Sequence, residues 1–127
     1  MRVAISTWEG KISPVFDVAK SLLVVDIEDG IEVNRSQKPL LEMTISRRAS
    51  YLEQLGIDVL VCGAVSSALE ERLRESGVKL IPFTCGIVEQ VLNILVSGQF
   101  KERSFLMPGC RARDLSREHS VKLSKTD

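Results

Sequence analysis

One histidine in 127 residues leaves little room for acid–base chemistry at neutral pH, and no Ser-His-Asp arrangement is convincing. There is no P-loop and no Gly-x-Gly-x-x-Gly stretch, so the usual nucleotide-phosphate cradles are missing. Cysteine is scarce too: three residues, an odd number without tight spacing, argue against a disulfide framework. No apolar run approaches membrane-spanning length. The apolar part of Met1–Thr7 is too short for a signal peptide, being broken by Ser6 and Thr7, so a cytoplasmic location is expected. Seventeen basic and seventeen acidic side chains cancel, so neither nucleic acid nor an anionic membrane is an expected partner. Charge of one sign gathers only late. From Lys101 onward seven Lys/Arg face four Asp/Glu, a mildly basic stretch that reads as a solvated extension.

What is present is a strand–turn–helix unit that almost repeats. Gly56-Ile57-Asp58-Val59-Leu60-Val61 runs into Cys62-Gly63, and Ser66 and Ser67 then open a helical pattern. Gly77-Val78-Lys79-Leu80-Ile81 runs into Thr84-Cys85-Gly86, and a second helical pattern follows. Two such units mean parallel strands with their carboxyl ends side by side. Open α/β sheets bind ligands at that edge.

The rest of the chain completes one domain. Val3–Thr7 and Leu22–Ile27 are apolar enough for central strands. Glu28-Asp29-Gly30 signals a hairpin into a shorter, more polar strand beginning Ile31-Glu32-Val33, which is expected at an edge. Trp8–Ser21 reads as an irregular loop, and a loop of that length is functional or packed on itself. Ile45, Ala49 and Leu52 mark a first helix that stops before Gly56. Val65, Ala68, Leu69 and Leu73 mark a second, with Ser67 and Glu70 spaced as a capping box and Gly77 at its end. Ile87, Val88, Val91, Leu92 and Leu95 mark a third, with Gly98 after it. The order is βββαβαβα. A single α/β domain is expected over residues 1–104, and a polar, mobile tail over 105–127.

This order, with Ile12-Ser13-Pro14-Val15-Phe16 between the first strands and the paired Cys-Gly units, resembles the nitrogenase iron–molybdenum cofactor biosynthesis family. The resemblance covers roughly Met1 to Phe100. It implies a ribonuclease-H-like α/β fold with a five-stranded mixed sheet whose second strand is antiparallel to the rest. The expected strand order is 3-2-1-4-5, with helices on both faces and right-handed crossovers in the late parallel links. Leu23, Val25, Val59, Val61, Leu69, Leu73, Val91 and Leu92 are expected in the core. The family includes carriers of the iron–molybdenum cofactor or its precursors. A ribonuclease-H-like fold also invites a nuclease, but that chemistry needs clustered carboxylates for paired metal ions, and Val3–Thr7 contains none.

The candidate ligands each have a plain alternative. Cys62, at the end of a buried strand, packs as a small apolar residue or faces a ligand that Gly63 lets approach the backbone. Cys85 sits at or just before a helix start, where unpaired N–H groups favour the thiolate that binds soft metals. Cys110 lies in a Pro-Gly turn beside Arg111 and Arg113, and His119 lies in the same polar tail. Ser13 and Phe16 form a Ser-Pro turn with Phe16 in the core, or a lid. Trp8 packs, or walls the site.

These residues converge on one expected pocket at the carboxyl edge, walled by Thr7, Ser13 and Phe16 on one side and by Cys62, Gly63, Thr84, Cys85 and Gly86 on the other. Cys85, Cys62 and Cys110 are the expected metal ligands. The cargo is an iron–molybdenum or other metal–sulfur cluster, and the partner is a protein that donates or accepts it. The expected role is a carrier or chaperone rather than an enzyme; the alternative is a regulatory or adaptor domain that binds a protein and holds no cofactor.

Overall fold

The computed structural model describes residues 1–40 and 43–97. Along the chain run β1 (Arg2–Trp8), β2 (Lys11–Ile12), a 3-10 turn (Phe16–Val18), β3 (Ser21–Glu28), β4 (Ile31–Pro39), α1 (Ile45–Gln54), β5 (Val59–Val61), α2 (Ser67–Glu75), β6 (Lys79–Ile81) and α3 (Val88–Ser97). The strands form one mixed sheet along the path β4-β3-β1-β5-β6, with β2 attached to β1. β1, β5 and β6 are parallel, and β3 runs antiparallel to both β1 and β4.

Period-two alternation decides the layering. Ala4, Leu22, Val24, Leu60 and Leu80 pack against Leu52 of α1 and Leu69 and Leu73 of α2. Val3, Ile5, Val25, Val59, Val61 and Ile81 turn the other way and meet Val88, Val91 and Leu92 of α3. All eight residues expected in the core are buried.

The sheet has six strands among the described residues, not the five expected. The extra strand comes from a two-residue turn, Glu9–Gly10, with φ of +52° and +80°, which folds Lys11–Ile12 back on Thr7–Trp8. Two consecutive positive φ values are what a tight I′ hairpin requires. Glu in place of the usual Asn or Asp hides it in the sequence. The segment Trp8–Ser21 is therefore partly regular rather than one irregular loop.

Three further expectations are corrected. β4 has nine residues and is not shorter than its neighbour β3, which has eight; polar from Asn34 to Lys38, it has no apolar rhythm to read. The α2 cap is Ser66, whose hydroxyl accepts from the Leu69 N–H at 3.3 Å, so Ser67 and Glu70 form no capping box. Glu70 instead pairs with Arg74 at 2.9 Å, one turn along. Ala68 and Ile87 are exposed and leave the apolar faces assigned to them. The expected boundary at residue 104, and Gly98, Cys110 and His119, lie outside the described residues.

Candidate functional site

The first Cys-Gly turn is closed by the chain itself. The residue Cys62 is 0% exposed and lies in the core under α1 and α2, with its N–H donating to the Ile81 carbonyl at 3.1 Å. Burial pushes its thiol pKa far above the ordinary value, and the carboxylates of Asp17 and Glu70 push the same way. A neutral, enclosed thiol is a poor metal ligand. A Cβ on Gly63 would lie 2.4 Å from the Pro14 carbonyl oxygen and 2.5 Å from that of Ser13. The space above Gly63, expected to admit a ligand, is filled by residues 13 and 14.

That segment is held at both ends. The Ala64 N–H donates to the Pro14 carbonyl at 2.8 Å, and the Phe16 N–H donates to the Ala64 carbonyl at 2.8 Å. The Phe16 ring is fully buried, so it is a core side chain and not a lid. Arg48, only 4% exposed, reaches over this ring and donates to the carbonyls of Ala19 at 2.8 Å, Met43 at 3.1 Å and Phe16 at 3.3 Å. Burial lowers its pKa, and the Asp17 carboxylate supports its charge. Asp17 also accepts the Ser66 N–H at 2.9 Å, which places a carboxylate at the start of α2. The partial positive charge at this helix start already has an internal partner.

The second Cys-Gly turn is equally well anchored, but among the described residues Cys85 and Gly86 stay only half-buried. Phe83 and Thr84 donate their N–H groups to the carbonyls of Gly63 and Cys62, both at 2.9 Å. This draws the two turns together at the carboxyl edge. Phe83 takes a φ of +59°, which is uncommon for a bulky residue. Thr84 is buried, its hydroxyl 3.4 Å from the Ile81 carbonyl. The Gly86 carbonyl accepts from Ile12 N–H, and the Val88 N–H donates to the Gly10 carbonyl, both at 2.9 Å. Cys85 lies between these anchors and keeps partial access to solvent. It precedes the first residue of α3 by three positions, beyond the first turn where a helix dipole acts strongly. Among the described residues, no group of three or more His, Cys, Asp or Glu side chains is placed to hold a metal ion.

A groove of about 440 Å³ opens elsewhere, on the α3 face of the sheet. Thr7, Ser21, Leu23 and Gln37 floor it, from three adjacent strands, and Trp8, Lys20 and Glu89 stand around it. The Gln37 amide donates to the hydroxyl oxygens of Thr7, at 3.1 Å, and of Ser21. Arg35, at the same groove, bridges Glu32 at 2.6 Å and Glu89 at 2.7 Å, and so ties β4 to the first turn of α3. These pairs hold both carboxyl groups below their usual range and raise the guanidinium.

Of the eight residues expected to wall one pocket, Thr7 lines this groove. Ser13, Phe16, Cys62, Gly63 and Thr84 are interior, and Cys85 and Gly86 reach the surface of the carboxyl edge. Sequence reasoning missed Asp17, Arg48, Lys20, Ser21 and Gln37. Two signals were there to be read. Arg48 interrupts the apolar stripe of Ile45, Ala49 and Leu52, and Thr7 and Ser21 continue, in polar form, faces that are otherwise apolar.

The family model for the dinitrogenase iron-molybdenum cofactor matches residues 1–98. No curated protein gives a match. Among solved structures, PH0822 superposes with a TM-score of 0.74 at 18% identity, covering 80% of this chain and 93% of the other. MJ0327 from Methanocaldococcus jannaschii gives 0.66 at 21% identity, covering 80% and 92%. The apo form of the orange protein from Desulfovibrio gigas gives 0.64 at 23% identity, covering 77% and 88%. At these identities the likeness is one of fold.

Proposed function

Since the chain belongs to the dinitrogenase iron-molybdenum cofactor family, we propose that it is a small cytoplasmic carrier that holds an iron–molybdenum or other metal–sulfur cluster as cargo, through Cys85, and passes it to or from a partner protein. The observation that carries this reading is the setting of Cys85: a cysteine partly exposed to solvent, on a turn whose Phe83 and Thr84 N–H groups donate to the Gly63 and Cys62 carbonyls and whose Gly86 carbonyl accepts from Ile12. Thiolate sulfur suits iron and other soft metals. A single protein ligand in a fixed turn gives attachment without enclosure, and a carrier must also release. Cys62 has no part in this reading, because its thiol is interior and protonated. The role is binding rather than catalysis. A ribonuclease-H-like arrangement, with the hairpin strands on one side of β1 and the parallel strands on the other, is the frame we assign to it.

One observation favours the adaptor reading as well. Trp8 at the end of β1, Val18 in the 3-10 turn, and Val15 and Ile87 expose between 39% and 68% of their surface. Exposed apolar side chains of this kind offer surface for a protein contact. A carrier needs such a surface to meet its donor, and an adaptor needs it alone.

Anaerobic reconstitution of the full chain with iron, molybdate and sulfide separates the two. The carrier reading expects metal and acid-labile sulfide on the parent and on Cys110→Ser, and loss of most of both on Cys85→Ser. Full uptake by Cys85→Ser overturns it, and no uptake by any form leaves the adaptor.

A further inference from the structure

The groove on the α3 face has a chemistry of its own, independent of Cys85. Its floor is made where β1, β3 and β4 lie side by side: Thr7 pairs with Ser21, and Leu23 pairs with Gln37. Thr7 is only 8% exposed, yet it sits where the groove has its floor. Each hydroxyl oxygen there already accepts an N–H from the Gln37 amide. A hydroxyl that accepts in this way keeps its own O–H to donate. Two such hydroxyls, on directly paired residues of neighbouring strands, can therefore donate to whatever enters. Lys20, next to Ser21, adds a positive charge; among the described residues it enters no ion pair, whereas Arg35 is already compensated by Glu32 and Glu89. Donors and a cation select an anionic oxygen group.

The remaining wall selects something flat. Trp8, 54% exposed, is among the residues that line the groove, and half-exposed aromatic rings stack planar ligands. Glu9 follows it in the turn and offers an acceptor for a ring N–H. Beside it, a Cβ on Gly10 would meet no atom within 4 Å, so the turn leaves open space there. The volume of about 440 Å³ falls in the range of small-molecule sites.

We propose that this groove is a second binding site, for a small organic anion of mononucleotide size in which a planar, N–H-bearing ring is joined to a phosphate or carboxylate, the ring on Trp8 and the anion on Thr7, Ser21 and Lys20. The chain holds one tryptophan, so its fluorescence reports on the groove directly. Titration of the full chain with AMP is expected to change that fluorescence saturably. Adenosine, which lacks the anion, and ribose 5-phosphate, which lacks the ring, are each expected to bind about tenfold more weakly or worse, as for loss of one charged hydrogen bond or one stacked ring. Lys20→Gln is expected to bring AMP down to the level of adenosine, and Ser21→Ala to weaken it while leaving the melting temperature near that of the parent. Cys85→Ser is expected to titrate like the parent, which keeps this test separate from that of the carrier. No fluorescence change with millimolar AMP overturns the proposal, and so does an AMP curve that is the same in Lys20→Gln as in the parent.

Discussion

Cys62-Gly63 follows β5 without a gap, whereas Cys85-Gly86 comes four residues after β6 ends at Ile81. That spacing changes what each cysteine does. A residue directly continuing a central strand keeps the strand's alternation, and here the alternation turns Cys62 toward the core shared with α1 and α2. Beyond β6 the chain has already turned, through Phe83 with its positive φ, before Cys85 is reached. The first turn is also roofed by Ser13–Phe16 and capped by Asp17. The second has backbone anchors on both sides, and among the described residues its cysteine stays only half-buried. A Cys-Gly pair after a strand is thus no fixed device. Its meaning depends on the distance from the strand end and on what the rest of the chain lays over it.

The largest effect should come from trying to open the roof. Gly63→Ala sets a methyl group against two backbone carbonyls that hydrogen bonds hold in place. Overpacking of this kind costs about 3 kcal/mol or more. Urea unfolding should show a large drop in midpoint; an unchanged midpoint would mean that residues 13–16 lift away easily, and the contrast between the two turns would fail.

Arg48→Met removes the clamp under the same roof while keeping bulk. The carbonyls of Ala19 and Met43 lose the Arg48 donor, and that of Phe16 keeps only the Ala19 N–H at 3.1 Å. Leaving buried acceptors unpaired should cost about 2 kcal/mol, read by the same unfolding curves. The loss should be accompanied by faster hydrogen exchange at the Phe16 amide.

The pH dependence of Cys62 is a sharper probe. Its folded pKa is raised, so the folded thiol stays protonated after the unfolded one, near 8.5, begins to ionise. The stability this provides is complete below that unfolded value and is lost as pH rises from it toward the folded value. The slope should approach about 1.4 kcal/mol per pH unit above pH 8.5. Cys62→Ala should flatten it. An unchanged slope in Cys62→Ala would contradict the enclosure of this thiol.

The smallest effect belongs to the exposed bridge from Arg35 to Glu32 and Glu89. Both carboxyl groups are held low, so their contribution is present above the unfolded carboxylate pKa and is lost as pH falls through the folded values. With solvent screening, Arg35→Gln should cost below about 1 kcal/mol at pH 7. The difference from the parent should shrink in salt and vanish in acid, which a melting series would show.

Much of the frame was legible in residues 1–97. The apolar rhythm of Val3-Ala4-Ile5, Leu22–Ile27 and Val59-Leu60-Val61 fixes which side chains are buried, because a strand has only two faces. The stops at Gly56 and Gly77 gave the ends of α1 and α2. The site was less legible. Nothing local to Gly63 says that Pro14, 49 positions earlier, will occupy its open side, and nothing local to Ser66 says that Asp17 will meet its N–H. Both contacts arise from tertiary docking of the segment before β3. The turn at Glu9–Gly10 and the length of β4 went unread for a different reason: backbone ladders hold them, with side chains that carry little periodic signal.

The central claim is that Cys85 meets the cargo and Cys62 does not. Brief anaerobic alkylation of the full native chain, with modified cysteines mapped by mass spectrometry before and after reconstitution with iron, molybdate and sulfide, tests it most directly. The account predicts that Cys85 is labelled in the cluster-free protein and protected once the cluster is bound, while Cys62 stays unlabelled in both. Labelling of native Cys62, or equal labelling of Cys85 with and without the cluster, would contradict it.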